Sequence, residues 1–388
     1  MRVIVCLLIM IAALLVTASP RFELKSNRYY PLYNLQADAF LNGRADLTLP
    51  NDWSHDVIAK DGKKYFALPP LNGILLMPFV ALWGVSFPER WFTLMLFAAY
   101  LVLISWFVSK HVRKYSKWDD SLWMIFFGLG TGLLVCTAAG TVWFSAALSS
   151  SLLLSLAAAI AWQARTTKHN VFAISLLCLA ALGRYQLILI APFFILAAYW
   201  RDSSRNFKKL VVLSTPVLVF MALIGFWNWW RWDELFNLRY REHGYGAYFQ
   251  EVISRYGFTS PRYVFLHLYH GLFAVPPAKL EFPFFSFDPA GNGLFATSPL
   301  FLFMIFRKHR YSKEDWMALG CIAVVALVIV THFSTGWRQF GYRYSLDVFP
   351  FLAFLLTRAN FRIASPLGVT LVLVSVWYNV IGALLSVQ

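Results

Sequence analysis

Ser334-Thr335-Gly336-Trp337-Arg338-Gln339-Phe340-Gly341-Tyr342-Arg343-Tyr344-Ser345-Leu346-Asp347 is a polar, aromatic stretch between two apolar runs, 316–332 and 346–357. Two arginines and an aspartate at the mouth of an apolar helix are costly unless they meet partners or a ligand. The same alternation recurs in both directions along the chain. Apolar runs of about 16–21 residues are broken by basic loops, the pattern of a polytopic helical membrane protein. Composition agrees: 59% of the 388 residues are hydrophobic and 14% charged, against about 25% charged in an ordinary soluble domain.

The net charge of +15 does not indicate nucleic acid. About half of the Lys and Arg fall in short loops between apolar runs, where the positive-inside rule collects them. The four cysteines, Cys6, Cys136, Cys178 and Cys321, all lie within apolar runs. They read as small core residues, with neither metal spacing nor a disulfide framework.

The expected fold is all-α: a single polytopic membrane domain of about eleven transmembrane helices with two large outer loops carrying interfacial helices. Residues 1–19 hold the first transmembrane helix, read in preference to a cleaved signal peptide although Val16-Thr17-Ala18 would suit a cleavage site. Residues 20–90 form the first outer loop, 91–230 further transmembrane helices, 231–293 the second outer loop, and 294–388 the C-terminal spans. Residues 71–87 carry Pro78 and are read as a re-entrant or interfacial helix. Counting them as a span would move every downstream basic loop outside. With the N-terminus cytoplasmic, the loops holding Lys110 and Arg113, Arg165 and Lys168, Arg201 and Lys208, Arg307 and Lys313, and Arg358 and Arg362 all fall inside. Residues 20–90, 231–293 and 333–346 then share the outer face, with most of the acidic side chains.

In the first loop, residues 28–42 read as an amphipathic helix stopped by Gly43. Tyr33, Ala37, Phe40 and Leu41 share one face, and Asn34, Asp38 and Asn42 line the other. Asp61-Gly62 is a hairpin turn. A base that deprotonates an acceptor hydroxyl near a membrane surface must be a carboxylate or His. Asp38 is the first candidate, with Glu23, Asp52 and Asp56 as alternatives. No metal site is expected, since His55-Asp56 supplies too few ligands to define one. The second loop interleaves aromatic residues with Arg239, Arg241, His243, Lys279 and Glu281. Cations beside aromatics on a membrane surface suit a lipid-linked phosphate. Arg184 interrupts an apolar run and would either snorkel or reach that phosphate. Arg343 and Asp347, four apart, are expected to pair on one helix face and position Tyr342 and Arg338.

Fingerprints of soluble nucleotide chemistry are missing: the chain holds no P-loop, Rossmann, G-x-S-x-G or H-E-x-x-H motif. A set of short motifs points elsewhere. These are Tyr29-Tyr30-Pro31-Leu32 followed by Ala37-Asp38-Ala39-Phe40-Leu41-Asn42-Gly43-Arg44; Asp61-Gly62-Lys63-Lys64-Tyr65 with Pro69-Pro70; Trp227-Asn228; the segment from Pro283 to Thr297-Ser298-Pro299; and Ser334 through Gly341-Tyr342-Arg343 to Asp347. Across nearly its whole length the chain resembles the GT-C superfamily of integral-membrane glycosyltransferases. The closer similarity is to the bacterial branch with dolichyl-phosphate-mannose–protein mannosyltransferase-like domains. Where that family often holds an Asp soon after the first span, this chain has Ser26-Asn27, which leaves Asp38 or Glu23 as the base.

The resemblance implies an inverting transferase of cell-envelope glycan biosynthesis. A polyprenyl-phosphate sugar would be the donor and a glycan, lipid or protein hydroxyl the acceptor, on the outer face of a bacterial plasma membrane. Arg343, Lys279, Arg241 and Arg184 would hold the phosphate. Tyr342, Trp337, Gln339, Asp347, His243, Tyr65 and Lys64 would position substrate. No tightly bound cofactor is expected; a divalent cation is the one addition the chemistry would accept. Two rival readings are a transporter or flippase for a lipid-linked or anionic substrate, which should show an internal repeat, and a non-catalytic scaffold subunit with a GT-C-like frame.

Overall fold

The computed structural model of the protein describes residues 1–18, 31–50, 53–201, 206–286, 288–305, 311–336, 338–359 and 361–385. Glu23, Asp52 and Trp337 lie outside these residues, as does the side chain of Arg241. The fold is 70% helix and 4% strand.

Helix α1 (Arg2–Thr17) is followed by α2 (Leu32–Leu41). The α2 helix ends as Gly43 predicts. Gly43 adopts φ +66°, and the Gly43 and Arg44 amides donate to the Phe40 and Ala39 carbonyls at 3.1 and 2.8 Å, closing a Schellman turn. Its polar face differs from the expected solvated one. Asn34 is fully buried and donates to the Val85 and Phe87 carbonyls at 2.9 and 2.6 Å. Strands β1 (Asp46–Leu47), β2 (Val57–Lys60) and β3 (Lys63–Phe66) form a small antiparallel sheet in the order β1-β3-β2. The β2–β3 hairpin turns at Asp61 and Gly62, whose φ values of +50° and +72° match a two-residue primed turn. Helix α3 (Leu71–Trp83) contains Pro78.

Helices α4 (Glu89–His111), α5 (Asp119–Leu129), α6 (Gly132–Ala139), α7 (Val142–Gln163) and α8 (Thr167–Ala181) build the main core. α5 and α6 are one apolar run bent by 44° at Gly130-Thr131. The freed Gly130 carbonyl accepts from the Ser298 hydroxyl at 2.8 Å, which satisfies a backbone group that lipid could not. A row of serines on α7 does similar work. Ser145 and Ser149 bond the Asn72 amide at 3.0 and 2.6 Å, and Ser151 and Ser155 bond the Tyr100 hydroxyl at 2.9 and 2.6 Å. After a 3₁₀ segment at Tyr185–Ile190 come α9 (Ala191–Arg201) and the 26-residue α10 (Phe207–Trp232).

The second loop carries α11 (Ala247–Tyr256) and α12 (Val264–Leu268). The chain then re-enters the core through α13 (Leu294–Thr297), α14 (Lys313–Val330), α15 (Phe349–Thr357) and α16 (Pro366–Leu385). Among the described residues four helices, α4, α7, α10 and α16, are long and apolar enough to cross a membrane, five if the bent α5–α6 pair is one span. The other runs of the expected eleven hold shorter helices. The 294–306 run is a four-residue helix followed by a 3₁₀ segment, and 346–357 yields the nine-residue α15. The helices are thus compatible with an integral membrane protein.

Candidate functional site

The opening stretch folds into a turn followed by a 3₁₀ helix, Arg343–Val348. A 3₁₀ helix has three residues per turn, so residues four apart point about 120° from each other. The expected Arg343–Asp347 pair is therefore not formed. Asp347 is fully buried and takes a bidentate grip from Arg184, Nε to Oδ1 at 3.1 Å and Nη2 to Oδ2 at 2.7 Å. The Gln186 amide adds a bond of 2.9 Å. Arg184 neither snorkels nor stands free: its charge is committed to Asp347.

Arg343 is left in a different state. It is 7% exposed, and its Nε and Nη1 have no hydrogen-bond partner among the described residues. Its guanidinium instead lies 5.7, 5.2 and 5.4 Å from the ring centres of Trp143, Phe144 and Tyr344. Arg184 lies 5.0 Å from the same Tyr344 ring. Arg231, at the end of α10, is also buried, stacked 4.3 and 3.7 Å from Trp227 and Trp232. Its nitrogens are used by the Trp227 and Phe66 carbonyls and the Asn228 side chain. A buried cation without a counter-charge is expensive, and rings offset only part of that cost.

The first and second loops meet in a carboxylate–imidazole pair. Asp56, 3% exposed and at φ +59°, accepts from Nε2 of His243 at 2.7 Å. An ionised carboxylate only accepts, so Nε2 carries a proton, and in the neutral form of the ring Nδ1 presents a lone pair. That Nδ1 is buried and has no hydrogen-bond partner among the described residues. His55 Nε2 lies 3.6 Å from the other Asp56 oxygen, and the His55 ring meets Trp143 edge to face at 5.6 Å. Trp143 thus touches both Arg343 and His55, the neighbour of the dyad. Tyr245 stacks on His243 at 4.3 Å, and its phenol is raised by burial, then by the neighbouring Tyr240, Asp56 and Tyr344. The two loops can meet because residue 244 is glycine: a Cβ there would strike the Ser54 carbonyl oxygen.

A third group braces the turn. His267 Nε2 donates to the His332 carbonyl at 2.8 Å, so its Nδ1 accepts from the Tyr342 hydroxyl at 2.6 Å. Gln339 is fully buried, donates to the Thr335 carbonyl and accepts from the Arg343 amide at 3.2 Å.

The residues expected at the site therefore divide. Asp56, His243, Arg343, Arg184, Asp347, Tyr342 and Gln339, drawn from four separate segments, come together. Asp38 does not join them. It lies five residues after Tyr33, about 140° around α2, and is paired with Arg44 at 3.7 Å, more than a third exposed. Tyr33, on the opposite face, is the α2 residue within electrostatic range of Arg184 and Tyr240. Lys64 is tied to the Pro50 and Trp53 carbonyls at 2.7 and 2.6 Å. Tyr65 packs on Trp232. Lys279 is exposed on a hairpin of the second loop. Sequence reasoning missed Trp143 and Arg231. Trp143 is hidden in an apolar run. Arg231, a lone charge inside Trp227–Trp232, carried a signal that could have been read. Among the described residues, no three or more His, Cys, Asp or Glu side chains gather as metal ligands.

No protein-family model matches the chain, and no curated protein or solved structure matches it either.

Proposed function

We propose that the chain is an inverting membrane glycosyltransferase. It would take a sugar from a polyprenyl-phosphate donor and pass it to an acceptor hydroxyl. One observation carries the reading: among the described residues a buried arginine has no salt-bridge partner, and it packs on the same Trp143 ring as His55, which neighbours the Asp56–His243 dyad. The arginine is suited to an anion, the dyad's imidazole to a proton. The motif resemblance and the apolar helices point to the same donor class.

In this reaction the His243 Nδ1 lone pair takes the acceptor's hydroxyl proton, while Asp56 holds the ring's tautomer and stabilises the imidazolium that forms. The acceptor oxygen bonds to the anomeric carbon from the face opposite the phosphate. The C–O bond to phosphate breaks, and its electron pair leaves with the phosphate, which gains a negative charge. Arg343, held among the Trp143, Phe144 and Tyr344 rings, faces that charge as it develops. Arg184 stays with Asp347 and fixes the 3₁₀ helix that aims Arg343. Asp56–His243 replaces Asp38 as the base. The basic-loop pattern favours eleven crossings with the N-terminus in the cytoplasm and this site on the outer face of a bacterial plasma membrane.

The test is sugar transfer by detergent-purified protein with a panel of polyprenyl-phosphate sugars, for wild type, His243→Gln and Asp38→Asn. Inverted product from wild type and a loss of about 10²–10⁴-fold in His243→Gln alone are expected for a lost general base. The same loss in Asp38→Asn with none in His243→Gln would return the base to α2. Donor binding with no turnover for any acceptor, in a protein that moves lipid-linked sugar between leaflets, would replace the enzyme reading with a flippase.

A further inference from the structure

The second loop contains a hairpin whose surface does not suit water. Residues 277–286 fold back on themselves: the Lys279 amide donates to the Phe284 carbonyl at 3.0 Å and the Ser286 amide to the Pro277 carbonyl at 2.7 Å. At its tip Leu280 is 100% exposed, Phe282 68% and Phe284 58%. Three large apolar side chains on one tight turn form a contiguous patch, which on a soluble surface marks a binding face.

Its position says what covers it. Phe282 meets Trp377 edge to face at 5.9 Å, and Phe285 packs on Tyr378 at 5.1 Å. Both partners lie on α16, one of the four helices able to cross a membrane. Trp377 and Leu373, four apart on that helix, are themselves exposed, at 42% and 63%. Trp377 is eight residues before Leu385, so about 12 Å of helix lies beyond it. A loop in water would sit past the end of a span; this one lies alongside it. Lys279 and Glu281 border the tip, and their charges must reach water or headgroups. They hold the hairpin at the boundary of headgroups and acyl chains, short of the bilayer centre.

We infer that the 277–286 hairpin is immersed in lipid, and that it extends the lipid-facing surface of α16. The inference needs only that α16 crosses the membrane and stands apart from the proposed enzyme activity. The hairpin's base also touches the site. Phe285 lies 5.8 Å from Phe340, and the Asn292 amide donates to the Gly341 carbonyl at 3.0 Å, so a lipid-anchored element braces the turn that presents Arg343.

The experiment places an environment-sensitive fluorophore on Leu280→Cys, in a Cys6→Ser background that leaves the buried cysteines untouched. The protein is reconstituted in phosphatidylcholine–phosphatidylglycerol vesicles. Asp61→Cys, at the exposed tip of the β2–β3 turn, is the aqueous control. Leu280 has no neighbours to lose, so the substitution leaves the fold intact. The expected result is iodide quenching several-fold weaker at 280 than at 61, with strong quenching by lipids carrying a nitroxide near the headgroup end of the chain. Iodide quenching at 280 equal to that at 61 would put the hairpin in water and overturn the inference. Protection from both quenchers would mean that a second copy or another protein covers it, which also overturns it.

Discussion

Replacing Arg343 with methionine separates a binding arginine from a structural one. Methionine keeps the length and apolar contact but removes the charge. Nε and Nη1 have no partners to leave stranded, so the loss is confined to ring contacts at 5.2–5.7 Å. Cation–π contacts contribute about 0.5–1 kcal/mol each at ordinary sites, so about 2 kcal/mol is lost for three. Against this stands the desolvation of a buried, unpaired guanidinium, an effective penalty of several kcal/mol. The expected net effect on the ligand-free protein is no loss of stability, or a gain of about 1–2 kcal/mol. Arg184→Met is the contrast: it strands Asp347 and should cost about 3–5 kcal/mol. Ligand binding reverses the order of interest. Hydrogen bonds to charged groups are worth about 1.5–3 kcal/mol each, so losing a two-pronged grip on phosphate should weaken binding by about 10²–10⁴-fold. Thermal unfolding in one detergent, with and without a short polyprenyl phosphate, reads both quantities, because a ligand stabilises only the state it binds. Destabilisation by Arg343→Met as large as that by Arg184→Met, with no stabilisation of wild type by the phosphate lipid, would refute the reasoning.

The Arg184–Asp347 pair should be strongly coupled: Arg184→Met with Asp347→Leu should recover most of the stability that either loses alone, so that a double-mutant cycle shows the two losses to be far from additive. Asn34→Leu leaves the Val85 and Phe87 carbonyls without their donor and should cost about 1–3 kcal/mol, seen as a lower unfolding midpoint with unchanged helix content.

Local features of the fold were legible where a local force sets them. Gly43 stops α2 because only glycine takes its backbone angle cheaply, and Asp61-Gly62 turns the hairpin for the same reason. The long apolar runs become α4, α7, α10 and α16 because a helix satisfies its own backbone in lipid. Legibility failed where spacing was used to infer a partner. The expected Arg343–Asp347 pair assumed α-helical geometry, and the segment is 3₁₀. The 121–138 run looked like one helix, but Ser298, far along the chain, supplies the bond that lets it break at Gly130.

By itself, then, the sequence determined a helical chain with apolar helices suited to a membrane, and it marked the residues too costly to bury without a purpose. Which of them meet was decided only by the tertiary structure. His243 finds Asp56 across 187 positions, and Arg184 finds Asp347 across 163. Arg343 is left over because Arg184 has already neutralised the carboxylate beside it. Periodicity encodes the face of a helix, since it follows from the residues of one segment. The pairing of buried charges follows from which segments the whole core brings within a few ångströms, and no spacing within a segment records that.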